Sequence, residues 1–233
     1  MDKCKRCGTC CRKGGPALHA QDLELVSKGV LKRVDLVTLR RGEMAFDPIL
    51  DQVIPLPGEV IKIKDKALSP GCRFLEPSGQ GCMIHDIRPL ECRSLYCWNT
   101  ERLEAIYDKD RLTRADLFPK QSGLGDIIAE HEAKCPITDV VRLADEAVKA
   151  KGKSHMEAIQ ALVALAEYDR SLRAVLVQKA GASLDELDVV LGRAVLDILP
   201  AMGMRLERKD GKTYKVIRTK SAEWSPGRAL WRA

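Results

Sequence analysis

The sequence contains no run of about 18 apolar residues, which excludes a helix built to span a bilayer. Its first residues, Met-Asp-Lys-Cys-Lys-Arg-Cys, carry no apolar core of the kind a secretory leader needs, so a cytoplasmic location is expected. No glycine-rich nucleotide loop of the usual methyltransferase kind occurs. No Ser-His-Asp arrangement and no carboxylate pair stands out as catalytic machinery, and the sequence by itself names no substrate. Charge of one sign is never gathered into a block. The 39 Lys and Arg against 33 Asp and Glu give a formal net charge of +6, but the two signs are interspersed. That pattern describes a solvated surface with a mild basic excess. The last 98 residues have no cysteine at all, because nothing after Cys135 contains one.

The nine cysteines therefore divide the chain, and 233 residues suffice for one or two domains. Residues 1–136 read as a cysteine-bearing metal-binding domain and 137–233 as a helical domain with a terminal hairpin. Nine thiols are many for a reducing compartment, where structural disulfides are rare, and an odd count does not close a disulfide framework. Metal ligation is the remaining common reason to keep so many.

Four thiols lie in one short loop, Cys4, Cys7, Cys10 and Cys11. The C-x2-C-x2-C spacing lets a tight loop aim three sulfurs together. Zinc usually takes its four ligands as two pairs, whereas three sulfurs from one loop suit a cubane, each reaching a different iron. The fourth iron then takes a remote cysteine. Cys135, followed by Pro136, has the form of that remote ligand in bacterial ferredoxins, although there the remote cysteine serves the other cluster. Cys10 and Cys11 are adjacent, and neighbouring side chains in extended backbone point apart. They suit two different centres, or one of them stands behind the other. Two four-sulfur sites, one site with several buried free thiols packing as small hydrophobes, and redox disulfide chemistry are all open on the count.

Four more thiols, Cys72, Cys82, Cys92 and Cys97, lie in a second segment. Pro77, Ser78, Gly79 and Gly81 form a turn between short apolar pieces, which predicts a small hairpin with a cysteine at each base. Arg88 and Arg93 stand among these thiols, where they would offset thiolate charge or pair with an acid nearby.

At these residues the sequence resembles the YkgJ-type cysteine-cluster proteins, whose domain is described as zinc- or iron-chelating. The resemblance rests on Cys4, Cys7, Cys10 and Cys11, then Cys72-Arg-Phe-Leu, Cys82-Met-Ile-His85 and Arg88-Pro-Leu-Glu-Cys92-Arg93, in that order. It covers about residues 1–100 and implies metal chelation without fixing the metal. His85 stands where the family has tyrosine and is read as filling the same space. Cys97 and Cys135 lie outside the core pattern. A flagellin lysine methylase is similar in carrying this type of motif, which brings in a cluster-dependent, methyl-transfer-like enzyme as an alternative.

Elsewhere, helices are predicted over 21–28, 34–41, 98–107, 124–134, 140–151, 156–168, 171–179 and 183–199, with a strand over 59–64. Ser183-Leu-Asp-Glu186 is a capping box. A C-terminal hairpin is predicted over 204–209 and 212–219, turning at Asp210-Gly211. Helices before a hairpin suggest a winged helix, but Asp185, Glu186, Asp188 and Asp197 make its helix acidic, so nucleic-acid binding is disfavoured. The helical part reads as a scaffold or partner-docking module. Trp224 and Trp231 fall in a tail that anchors or meets a partner. His131, four residues before Cys135, is read as a surface or dipole partner before it is read as a ligand.

The fold class expected is α+β: a small irregular cysteine domain, then helices and a β-hairpin. The leading reading is one or two iron–sulfur clusters, [4Fe–4S] favoured, on Cys4, Cys7, Cys10, Cys11, Cys72, Cys82, Cys92 and Cys97, with Cys135 as ninth candidate. Electron transfer, redox sensing or metal handling would follow, with a redox or scaffold protein as partner. The second reading is a zinc-stabilised interaction module without redox activity.

Overall fold

The computed structural model describes residues 4–66, 71–208 and 214–219. The Asp210-Gly211 turn and both Trp224 and Trp231 lie outside these. In chain order the elements are α1 (Thr9–Arg12), α2 (Leu23–Ser27), β1 (Leu36–Leu39), β2 (Met44–Asp47), β3 (Gln52–Pro55), β4 (Val60–Ile63), α3 (Leu90–Ser94), α4 (Glu101–Glu104), α5 (Arg114–Leu117), α6 (Gly123–Lys134), α7 (Ile137–Lys149), α8 (Gly152–Ala180), α9 (Leu184–Val190), α10 (Val195–Ile198), β5 (Met204–Arg208) and β6 (Tyr214–Arg218). The strands form three antiparallel ribbons, β1–β4, β2–β3 and β5–β6. The fold is α+β, and the predicted hairpin is present as β5 and β6, with Met204 opposite Arg218.

The β1–β4 ribbon positions the cysteine loops. Leu36 pairs with Ile63 and Leu39 with Val60. A helix predicted over 34–41 is thus a strand. Leu36, Val37, Thr38 and Leu39 fit helical and extended spacing alike, and the partner decides: β4 supplies the ladder, and the Thr38 hydroxyl donates to the Val189 carbonyl at 2.7 Å. The chain just after the first cysteine loop lies along the other edge of β4. Leu18 N donates to Ile61 O at 2.8 Å, and Ile63 N to Pro16 O at 3.0 Å. Backbones approach so closely here that a Cβ on Gly15 would sit 2.1 Å from the Ile63 carbonyl oxygen. Gly15→Ala is expected to lower stability by about 1–3 kcal/mol, the usual cost of overpacking, read as a fall in the urea midpoint at unchanged slope.

Four predicted helices have other bounds. The one over 98–107 shrinks to α4, because Tyr96 and Asn99 pair across a turn first. Those over 156–168 and 171–179 are one 29-residue helix, α8, which Ser171 does not interrupt. The helix opened by the Ser183–Glu186 capping box ends as α9 at Val190. Gly192 (φ 80) then breaks it, and a Cβ there would lie 3.0 Å from the buried Arg40 side chain, so the break makes room for that arginine.

Two cores result. One gathers Val140, Leu143 and Ala144 of α7, Leu162 of α8, Val195 and Ile198 of α10, and Met204 of β5. The other gathers Leu18, Leu36, Ile61, Ile63 and Cys72 with Leu176, Leu187 and Val190. The second core thus joins residues from both sides of position 137. Between the cores runs a buried polar seam. Asp169 accepts from His131 Nε2 and Arg173 Nε, both at 3.0 Å, and from Val195 N at 3.1 Å. Arg173 Nη2 donates to Gly192 O at 2.7 Å. His131, read above as a surface or dipole partner, is instead fully buried, because its carboxylate partner lies 38 residues away on α8.

Candidate metal centre

The first cysteine loop is fastened at both ends. Arg12 donates to the carbonyls of Cys7 (3.1 Å) and Gly79 (2.6 Å), and to Thr9 Oγ1 (3.0 Å). Cys72 N donates to Cys11 O at 2.6 Å. Arg6 pairs with Asp86 at 2.7 Å. The second segment bends at the predicted turn, with Leu75 bridged to Cys82. Cys92 sits on α3, whose first N–H group, from Leu90, donates to the buried Asp22 carboxylate at 2.9 Å. That carboxylate also accepts from His19 N at 3.0 Å. Asp22 therefore ties α3 to the segment at His19, and burial pushes its acidity toward the neutral form.

Eight cysteines border two adjoining cavities. The larger, about 350 Å³, has Cys4, Cys7, Cys10 and Cys11 on one side and Cys82, Cys92 and Cys97 on the other. The smaller, about 20 Å³, is bordered by Cys10, Cys11, Cys72, Cys82 and Cys92. Cys10, Cys11, Cys82 and Cys92 belong to both. All nine thiols are free. Among the described residues, no three Cys, His, Asp or Glu side chains close on one point as ligands of a single ion. Cys135 is elsewhere. It is fully buried in the α7–α8 core, where its thiol faces the Leu165 carbonyl at 3.8 Å and its own carbonyl accepts from Arg40 Nη1 at 2.8 Å.

The thiols differ in acidity for local reasons. Cys10 Sγ lies 4.0 Å from Cys11 Sγ. A hydrogen bond from Cys11 draws Cys10 down to about 6, with Arg88 contributing, and a second draws Cys82 down to about 7. Cys11, whose one S–H lies between the two, is pushed up correspondingly. Cys7 is lowered by the Thr9 hydroxyl 3.2 Å away. Burial raises Cys72 to about 11 and raises Cys92 strongly. Cys10 and Cys82 thus ionise readily beside Cys72 and Cys92, which burial keeps protonated until something replaces the proton, as a metal does.

Arg88 lines both cavities. Its Nε donates to Cys92 O at 3.1 Å, and Nη1 to His85 O (2.9 Å) and to the His85 ring (2.8 Å to Nε2). His85 borders the larger cavity with that nitrogen already taken. Arg93 turns outward, 4.0 Å from Asp22. Arg12 and Thr9 escaped the sequence reading. Arg12 acts on backbone carbonyls, one of them 67 positions away, which no residue pattern reveals.

Residues 3–110 match the model of the CxxCxxCC family, described as "Putative zinc- or iron-chelating domain". The match agrees with the YkgJ-type resemblance, and the family description supports metal binding in general. No curated protein and no solved structure matches the chain. Among the described residues, no helix is long and apolar enough to cross a membrane.

Proposed function

We propose that the thiols around the larger cavity hold an iron–sulfur cluster, of [4Fe–4S] type, for electron transfer or redox sensing. The observation that carries this is size. Zinc draws four thiolates to about 2.3 Å and leaves no room between them. Here seven cysteines face a space of about 350 Å³, the liquid volume of roughly a dozen waters at ~30 Å³ each. The chain's own residues supply soft sulfur ligands from two loops, a guanidinium at Arg88 to offset thiolate charge, and a wall of Leu95, Tyr96 and Trp98. When bound, the cluster supplies one-electron chemistry. Cys4, Cys7 and Cys97 are exposed, and Met83, Ile87 and Trp98 are exposed apolar groups nearby, which suits transient docking of a protein partner.

One observation favours a zinc site instead. The 4.0 Å between Cys10 and Cys11 sulfurs is close to the ~3.8 Å edge of a tetrahedron of sulfurs about a zinc ion. Reduction of anaerobically purified protein with dithionite separates the readings. Bleaching of visible absorbance and a paramagnetic resonance signal are expected of a cluster. A colourless, resonance-silent protein carrying zinc contradicts it.

A further inference from the structure

We infer that a third cavity, beside the larger thiol cavity, binds a small molecule with a carboxylate and an apolar body. Its volume is about 520 Å³, inside the ~300–1,000 Å³ range of small-molecule sites. Pro48 and Ile49, at the β2–β3 turn, form one apolar wall, and Leu95, Leu103 and the Tyr107 ring are further apolar lining. Ile49 is 52% exposed, so this wall is open to be covered. Cys10 and Cys97 border this cavity and the thiolate cavity alike, so a ligand here lies against two of the thiols proposed as cluster ligands.

Three charged side chains face the space, and they are not equivalent. Glu91 is 2% exposed and fully engaged. It accepts from Ala17 N (2.8 Å) and from Arg111 Nη1 (3.1 Å), with His19 Nε2 3.5 Å away, while Arg111 also covers the Tyr107 ring at 4.8 Å. Glu104 is exposed at the rim, with Oε1 accepting the Thr100 hydroxyl at 2.6 Å. Lys13 is half-buried and makes no ion pair or side-chain hydrogen bond among the described residues. An ammonium beside an apolar wall, with no acceptor of its own, is satisfied by an anion. Lys13 lines this cavity and not the thiolate cavity, so its charge is available to an occupant here. A carboxylate on Lys13 leaves the rest of the molecule against Ile49, Leu95 and Leu103.

Only the position of this ligand beside a metal rests on the function proposed above; the binding does not. The test uses the full chain, purified anaerobically, with hexanoate, hexan-1-ol and hexylamine as matched probes. Calorimetry gives affinities, and amide shifts locate the site. Saturable hexanoate binding is expected, with hexanol and hexylamine at least about tenfold weaker, as one charge-assisted hydrogen bond implies. Shifts should centre on Thr9, Leu103 and Tyr107. Lys13→Met should bring hexanoate down to the level of hexanol, while Lys13→Arg retains the preference. Equal binding of the three probes, no binding, or shifts elsewhere overturns the inference. Iron and sulfide are measured on the same samples; their absence alongside the hexanoate preference upholds this site and counts against the cluster alone.

Discussion

Cys10→Ser should strip most of the bound metal from the purified protein, whereas Cys135→Ala should leave the metal content per chain unchanged. Cys10 borders both thiol cavities, and it is the more acidic partner of the Cys11 hydrogen bond. Serine keeps the shape but is a poor ligand for a soft metal. Changes behind the ligands typically weaken metal binding by about 10–100-fold, and loss of a ligand shared by both cavities should exceed that. Cys135 serves packing instead. It is fully buried, its carbonyl is held by Arg40, and burial raises its thiol to about 11. Alanine removes one sulfur from the α7–α8 core, at a cost on the order of 1 kcal/mol. Elemental analysis of both variants, with the denaturation midpoint beside it, reads the two effects apart.

Asp169→Ala should be among the most damaging substitutions outside the thiol loops, at about 3–5 kcal/mol, because it leaves a buried cation unpaired. Arg173 would keep only its bond to Gly192 O at 2.7 Å and a longer contact of 3.6 Å to Asp188, and the Val195 N–H and His131 would lose their acceptor. Asp169 also predicts the pH dependence. Burial alone would raise its pKa, but hydrogen bonds from His131 and Arg173 hold it below the ordinary carboxylate value. A depressed folded pKa means the stabilisation is complete above the unfolded value of about 3.9 and is lost as pH falls through the folded one. The stability gap between the native chain and Asp169→Asn should therefore be constant near neutrality and shrink below about pH 4. A gap that does not move with pH would contradict the charge-based account.

What the sequence could show was local. C-x2-C-x2-CC and the Arg88–Arg93 segment announce a thiol centre, because ligand spacing is a property of a few consecutive residues. The Ser183 capping box and the β5–β6 hairpin were legible for the same reason. Residues 34–41 were not, since the apolar spacing of Leu36 and Leu39 fits a helix until β4 claims the strand. Lys62 shows the same limit. The alternation Val-Ile-Lys-Ile-Lys places it on a polar face, yet the segment 16–18 and its neighbours bury it to 6% exposure. The Asp169–Arg173–His131 seam, Arg12 bridging two loops, and the separation of Cys135 from the other eight thiols all depend on partners tens of positions away. His131-x3-Cys135 has a ligand-like spacing, and α6 does deliver both residues to one region, but into a core without the other sulfurs.

Two cysteine loops enclosing a polynuclear centre would carry iron and sulfide together. The most direct measurement is iron, zinc and acid-labile sulfide per chain, made on protein purified without oxygen. About four irons with matching sulfide per cluster is the predicted result. One or two zinc ions, with neither iron nor sulfide, would contradict it and leave a structural zinc module.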